Sequence, residues 1–146
     1  MKNSLIKKKI VRCLCGGVSM LINGKLRHVI NCHCKQCMKT HGNYATYTSC
    51  KQENVKFLSK RTLSWFASSK IAKRGFCKKC GASIFFKRNN SKYISVSAGM
   101  FNNPTGLKTK MDIFIKGKLD YYALTNKLKK YHNYPSKLVL IFRFRL

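Results

Sequence analysis

Acidic side chains are nearly absent from this chain. Glu53, Asp112 and Asp120 are the only three among 146 residues, against 31 lysines and arginines, and the formal net charge is +28. A field of that sign and size draws in anions of every kind, including nucleic acid, acidic membrane and small acidic metabolites. The basic residues are spread from Lys2 to Arg145 rather than gathered in one stripe. The excess of lysine over arginine, with plentiful Asn, Ile, Tyr and Phe, fits an A/T-rich coding background, but that background does not account for the missing Asp and Glu.

Proline is scarce too: only Pro104 and Pro135 interrupt the backbone. With no repeat, linker or low-complexity block, the chain predicts a single domain. No apolar run approaches the roughly 18 residues needed to cross a bilayer, so no membrane span is expected, and the short apolar stretch Leu138–Leu146 reads as an edge strand guarded by arginines. The first ten residues carry lysines without an apolar core behind them, which predicts no secretory signal. The expected compartment is then the reducing cytoplasm, where clustered cysteines act as metal ligands rather than disulfides.

Cysteine is what the chain does have. Seven of its eight cysteines fall into three clusters, Cys13-Leu-Cys15-Gly16, Cys32-His-Cys34-Lys-Gln-Cys37 and Cys77-Lys-Lys-Cys80-Gly81. Thiolates at one- and two-residue gaps suit a soft divalent ion such as zinc. Seven ligands make one closed four-sulfur site and one three-sulfur site with a vacant position, so two zinc ions are expected, one structural and one able to bind a substrate atom. Spacing leaves the grouping open: Cys13 and Cys15 can join Cys77 and Cys80, or Cys34 and Cys37 can join Cys77 and Cys80 as a zinc ribbon. His41, four residues past Cys37, is a candidate fourth ligand that would close the second site. On a strand, Cys13 and Cys15 would point to one side, and His33 would point away from Cys32 and Cys34 into solvent or a supporting position. Cys50 lies outside the clusters and reads as a free thiol, and His28 and His132 as surface residues.

The elements read as short strands rich in aromatic and β-branched residues: Val18 to Ile22, Leu26 to Ile30, Tyr44 to Thr48, Val55 to Leu58, Leu63 to Phe66, Ile84 to Lys87, Tyr93 to Ala98, Met111 to Lys116 and Tyr121 to Leu124. Asn23-Gly24 predicts a hairpin between the first two, and Asn89 to Ser91 a turn before Tyr93. Helical turns are expected near Lys35 to Thr40 or Asn126 to Tyr131. Trp65 and Phe66 are expected in the core. The fold class is mainly β, a small zinc-bound domain of several short bent sheets.

The order Cys13-x-Cys15-Gly16, Cys32-x-Cys34-x-x-Cys37 with Gly42, Ser68-Ser69, Arg74-x-Phe76-Cys77-x-x-Cys80-Gly81 and Ala98-Gly99 resembles the GFA family of glutathione-dependent formaldehyde-activating enzymes and the related centromere protein V. The resemblance covers about Lys9 to Pro135, which implies a zinc-binding domain over residues 9–135 and leaves residues 136–146 as a tail or edge strand. It implies a β-tent-like fold, a structural zinc on Cys13, Cys15, Cys77 and Cys80, and a catalytic zinc on Cys32, Cys34 and Cys37. It also implies a carbon–sulfur lyase that joins a thiol such as glutathione to formaldehyde, with Ser69 and Arg74 lining the substrate pocket. The chain departs from the family at Asp112, where a histidine is common, at Phe66, where a tyrosine is common, and at Met100-Phe101. Beside the enzyme stands a second class of function, a non-enzymatic zinc module binding nucleic acid or other polyanions through charge. A third reading is a family member that keeps fold and metal without activity. Steep salt dependence marks charge-driven binding, whereas saturable, cysteine-dependent binding of glutathione marks the enzyme.

Overall fold

The computed structural model describes residues 8–135; the Leu138–Leu146 segment and the basic start lie outside the described residues. The chain forms two compact units, each assembled from two stretches of sequence: residues 8–28 with 47–107, and residues 29–46 with 108–135.

The first unit is built from two sheets. One has three antiparallel strands, β1 (Lys9–Arg12), β2 (Val18–Ile22) and β5 (Val55–Lys60), with β2 in the middle. Every second residue of β2 is buried, Val18, Met20 and Ile22, which is the signature of a strand with one face on a core. The other sheet runs in the order β4-β9-β8-β7-β6, through β4 (Ala45–Lys51), β9 (Tyr93–Ser97), β8 (Ser83–Arg88), β7 (Ala72–Cys77) and β6 (Leu63–Ser69), all antiparallel. The apolar set of β2 shares one core with Ile84, Phe85, Ile94 and Val96, closed by Met100 and Phe101. Phe57 reaches that core from β5 and meets Phe85 edge to face at 6.0 Å.

The second unit is smaller. β3 (Val29–Cys32) pairs in parallel with β10 (Thr109–Ile113), and β10 pairs in parallel with the two-residue β11 (Lys129–Lys130). Ile30, Met111 and Ile113 form its core, with Phe114 and Tyr131 against them. The helix α1 (Lys35–His41) starts directly after Cys34 and ends on Gly42. Among the described residues no helix is long and apolar enough to cross a membrane.

The mainly β architecture of several small sheets is the one expected, and the strands expected at Val18–Ile22, Tyr44–Thr48, Val55–Leu58, Leu63–Phe66, Ile84–Lys87 and Tyr93–Ala98 are present with small shifts of boundary. The hairpin on Asn23-Gly24 is not. The Asn23 amide donates to the Asn54 carbonyl at 2.9 Å, which holds the end of β2 against the start of β5, and residues 26–28 remain irregular. The strand expected over Met111–Lys116 stops at Ile113, because Phe114 turns left-handed (φ 56°) and a short 3-10 turn follows. Tyr121–Leu124 forms no strand. Asn126–Tyr131 is extended rather than helical at its end, since the Tyr131 amide is taken by the Asp112 carbonyl at 2.9 Å. Trp65 and Phe66 are not core residues: they are 37% and 60% exposed on the outermost strand of their sheet.

Candidate metal centres

In the first unit, two hairpin loops converge. Cys13 to Gly17 link β1 to β2, and Lys78 to Ala82 link β7 to β8. The loops are built alike. The Cys13 amide donates to the Val18 carbonyl at 2.9 Å and the Cys77 amide to the Ala82 carbonyl at 2.9 Å. Each loop then turns at a left-handed glycine straight after its second cysteine, Gly16 at φ 72° and Gly81 at φ 74°, a conformation that costs any other residue roughly 1–2 kcal/mol. Cys13 and Cys15 therefore meet through a turn, not along a strand as expected. Their sulfurs lie 3.7 Å apart, and Cys15 Sγ lies 3.6 Å from Cys77 Sγ. All four sulfurs of Cys13, Cys15, Cys77 and Cys80 fall within 4.8 Å of one another.

Those spacings fit a zinc ion. Arms of about 2.3 Å to a tetrahedron of sulfurs give edges of about 3.8 Å. None of these cysteines is in a disulfide. The loops also supply the hydrogen bonds that thiolates need: the Val18 amide to Cys13 Sγ at 3.3 Å and the Cys80 amide to Cys77 Sγ at 3.5 Å. Burial alone would raise the Cys77 thiol; the Thr62 hydroxyl at 3.0 Å and the amides of Cys80 and Lys79 outweigh it and bring the thiol down to about 6. Cys13, deprived of water, is pushed up to about 11.

In the second unit, Cys32 closes β3, Cys34 caps α1 and Cys37 sits in its first turn, where the Met38 amide donates to the Cys34 carbonyl at 2.9 Å. Their three sulfurs also lie within 4.8 Å of one another. Hydrogen bonding to Cys34 and Cys37, and then burial, push the Cys32 thiol far above its ordinary range, so a cation must displace protons to bind here. The donor set is all soft sulfur, as zinc prefers, and three donors leave a tetrahedral ion one ligand short. His41 is not part of this group. Its Nδ1 lies 3.2 Å from the Cys37 carbonyl and 2.9 Å from the Thr40 hydroxyl. The structure thus assembles the pairs Cys13/Cys15 and Cys77/Cys80 in one unit and the triplet in the other, and the zinc-ribbon alternative of Cys34 and Cys37 with Cys77 and Cys80 is not formed.

His33 is where the sequence reading fails most clearly. It is fully buried rather than solvated. Its Nε2 lies 2.9 Å from Asp112 Oδ1, and its Nδ1 lies 2.6 Å from the Tyr122 hydroxyl. With the Nε2 proton directed at the carboxylate, Nδ1 is the acceptor and Tyr122 the donor. Asp112, itself fully buried, also accepts from Asn31 Nδ2 at 2.9 Å. Tyr44 packs on the imidazole at 4.7 Å between ring centres. Burial, with Tyr121, Asp112 and Tyr44 nearby, pushes the Tyr122 hydroxyl up to about 12 and keeps it protonated. Both ring nitrogens of the residue between Cys32 and Cys34 are thereby fixed. Sequence gave no sign of this network except the departure at Asp112, because its members lie 79 and 89 residues from His33.

Of the remaining expected site residues, Ser69 is exposed and Arg74 is buried over the Phe86 ring at 5.2 Å, both in the first unit. Cys50 is buried in the core, apart from both sulfur groups, and loss of water pushes its thiol up to about 11. His132 is exposed and His28 half-buried.

A mainly β chain gathers seven cysteines into a group of four and a group of three, each of which could hold a metal ion. Residues 8–117 match the family model of glutathione-dependent formaldehyde-activating enzymes, and the chain belongs to that family, GFA. It is similar to an uncharacterized lyase of Schizosaccharomyces pombe, 27% identical over 116 residues that cover 79% of this chain and 84% of the relative. A crystal structure of a Rhodobacter sphaeroides protein shares the fold, with a TM-score of 0.56 at 19% identity over 68% of this chain and 97% of that one.

Proposed function

We propose that the protein is a carbon–sulfur lyase that adds a thiol such as glutathione to formaldehyde or a related aldehyde, and reverses that addition. The observation that carries the reading is the three-sulfur group of Cys32, Cys34 and Cys37, one donor short of a full zinc shell. Cys13, Cys15, Cys77 and Cys80 would hold a second, closed zinc that serves the fold. Cys32, Cys34 and Cys37 would hold a zinc ion whose Lewis acidity would lower the pKa of a thiol, less strongly than in a three-histidine site because three thiolates already donate charge. In the addition, the thiol sulfur bonds to the carbonyl carbon, the carbon–oxygen π bond opens, and the thiol proton ends on the oxygen, giving S-hydroxymethylglutathione. The chain's own contribution is positioning. Asp112 and Tyr122 clamp the His33 ring from both sides, so the two cysteines flanking it keep a fixed separation. Lysines supply a positive surround that favours an anionic thiol such as glutathione.

Formation of S-hydroxymethylglutathione by zinc-loaded wild type and by Cys34→Ser, compared at matched occupancy of the four-sulfur site, tests this. The variant is expected to lose turnover while keeping its fold and one zinc. Equal rates would rule out the triplet as the reactive centre.

A further inference from the structure

The first unit carries an aromatic and cationic patch that neither sulfur group uses. Trp65, the only tryptophan of the chain, lies on β6 directly opposite Gly75 of β7. A Cβ at Gly75 would stand 2.8 Å from Phe85 Cδ2 and 3.1 Å from Trp65 Cη2. The missing side chain therefore lets the indole lie down on the sheet, where it stacks on Phe85 at 5.6 Å and 12° between planes. Phe85 takes one face of the indole. Lys73 Nζ stands over the indole, 4.7 Å from the ring centre. Lys87 is the cross-strand partner of Lys73, so both lysines rise from the same face of the sheet as Trp65.

Among the described residues neither ammonium group is paired with a carboxylate. No Asp or Glu occurs between Glu53 and Asp112 in sequence. Of the three acidic residues, Glu53 pairs with Lys51 at 3.3 Å, Asp112 is buried on His33, and Asp112 and Asp120 belong to the other unit. The Lys87 ammonium donates to the Ser91 carbonyl. Burial, and then the charge of Lys73, lower its pKa, as expected of two like charges held together without a counter-ion. β6 is the outermost strand of its sheet, and among the described residues no strand covers its far side.

We propose that Trp65, Lys73 and Lys87 form a binding site for single-stranded nucleic acid. A phosphate sits against the two ammonium groups, Lys73 leaves the indole to meet it, and an unstacked base takes the freed ring face. The chemistry selects this occupant. Duplex nucleic acid hides its base faces and would engage only the lysines. An acidic peptide would satisfy the charge but offer the indole no planar partner. A second copy of a chain carrying +28 would bring like charge to the patch. The site is independent of the thiol reaction.

Because Trp65 is the sole tryptophan, its fluorescence reads the site directly. Titration of the zinc-loaded protein with a 12-residue oligothymidylate at moderate salt is expected to give saturable quenching. The double variant Lys73→Ala/Lys87→Ala removes one exposed and one half-buried ammonium group and the hydrogen bond to the Ser91 carbonyl, all outside the apolar core, and should fold. It is expected to weaken binding of a labelled oligomer more than the charge-matched variant Lys127→Ala/Lys130→Ala in the other unit, and to flatten the slope of log K against log salt by about 1.4. Trp65→Ala should weaken it about 5- to 150-fold, the usual range for losing one base–aromatic stack. Absence of quenching, equal losses in the two double variants, or equally tight binding of a duplex of the same length would each overturn the proposal. Polyglutamate quenching Trp65 as well as the oligomer would overturn it in favour of an acidic-peptide site.

Discussion

Replacing Cys77 and Cys80 together by serine removes both sulfurs of one loop from the four-sulfur group and unties residue 15 from residue 77. The two lie 62 positions apart. Treated as a cross-link, a loop of that length constrains the unfolded chain by about 4 kcal/mol. That is a large share of the 5–15 kcal/mol typical of a small domain. The assay is urea unfolding, followed by circular dichroism, of wild type and Cys77→Ser/Cys80→Ser, each with a small excess of zinc and again with chelator. In zinc, the wild type should exceed the variant by about 4 kcal/mol. In chelator the two should converge, because neither then has a cross-link. A gap of the same size in both conditions would refute the reasoning. The loss would then belong to the packing of a fully buried side chain rather than to a metal joining two hairpin loops.

Three further outcomes follow from particular contacts. Asp112→Ala leaves Asn31 Nδ2 and His33 Nε2 facing an empty buried site, and should cost about 3–5 kcal/mol in urea unfolding. Asp112→Asn keeps an Oδ1 acceptor, removes the carboxylate's charge and puts the amide nitrogen at Oδ2, which has no hydrogen-bond partner among the described residues, so it should cost about 1–2 kcal/mol. Gly81→Ala should cost about 1–2 kcal/mol, because alanine is strained at φ 74°, and should weaken zinc retention in a competition with a coloured chelator.

The sequence exposed the parts of the fold whose cause is local. The alternation of Val18, Met20 and Ile22 is enough to make β2 a strand with one buried face. The two Cys-Gly steps, Cys15-Gly16 and Cys80-Gly81, mark tight turns whichever strands they join. What stayed hidden depends on partners far away in the chain. Asn23-Gly24 looks like a hairpin until Asn54 claims its backbone. β7, reading Ala-Lys-Arg-Gly-Phe-Cys, has no alternating pattern, since Gly75 is there to admit the Trp65 ring from the neighbouring strand. The same cause misled the reading of Trp65: its flanking residues resemble a core strand, but β6 ends its sheet and leaves the indole partly in water. His33 is the converse case. Its neighbours are metal-binding cysteines and suggest an accessible ring, while Asp112 and Tyr122 bury it from the other end of the chain. Which cysteines group together was equally beyond spacing, because hairpin geometry alone brings residue 13 to residue 77.

On the proposed function, the sulfur triplet leaves room for one more thiol. Loading the protein with cobalt in place of zinc makes each metal–thiolate bond visible as charge-transfer absorption. Glutathione added to the cobalt form should raise that absorption saturably, from seven bound thiolates to eight, and Cys34→Ser should abolish the rise. A spectrum that glutathione leaves unchanged in the fully loaded wild type would contradict the account.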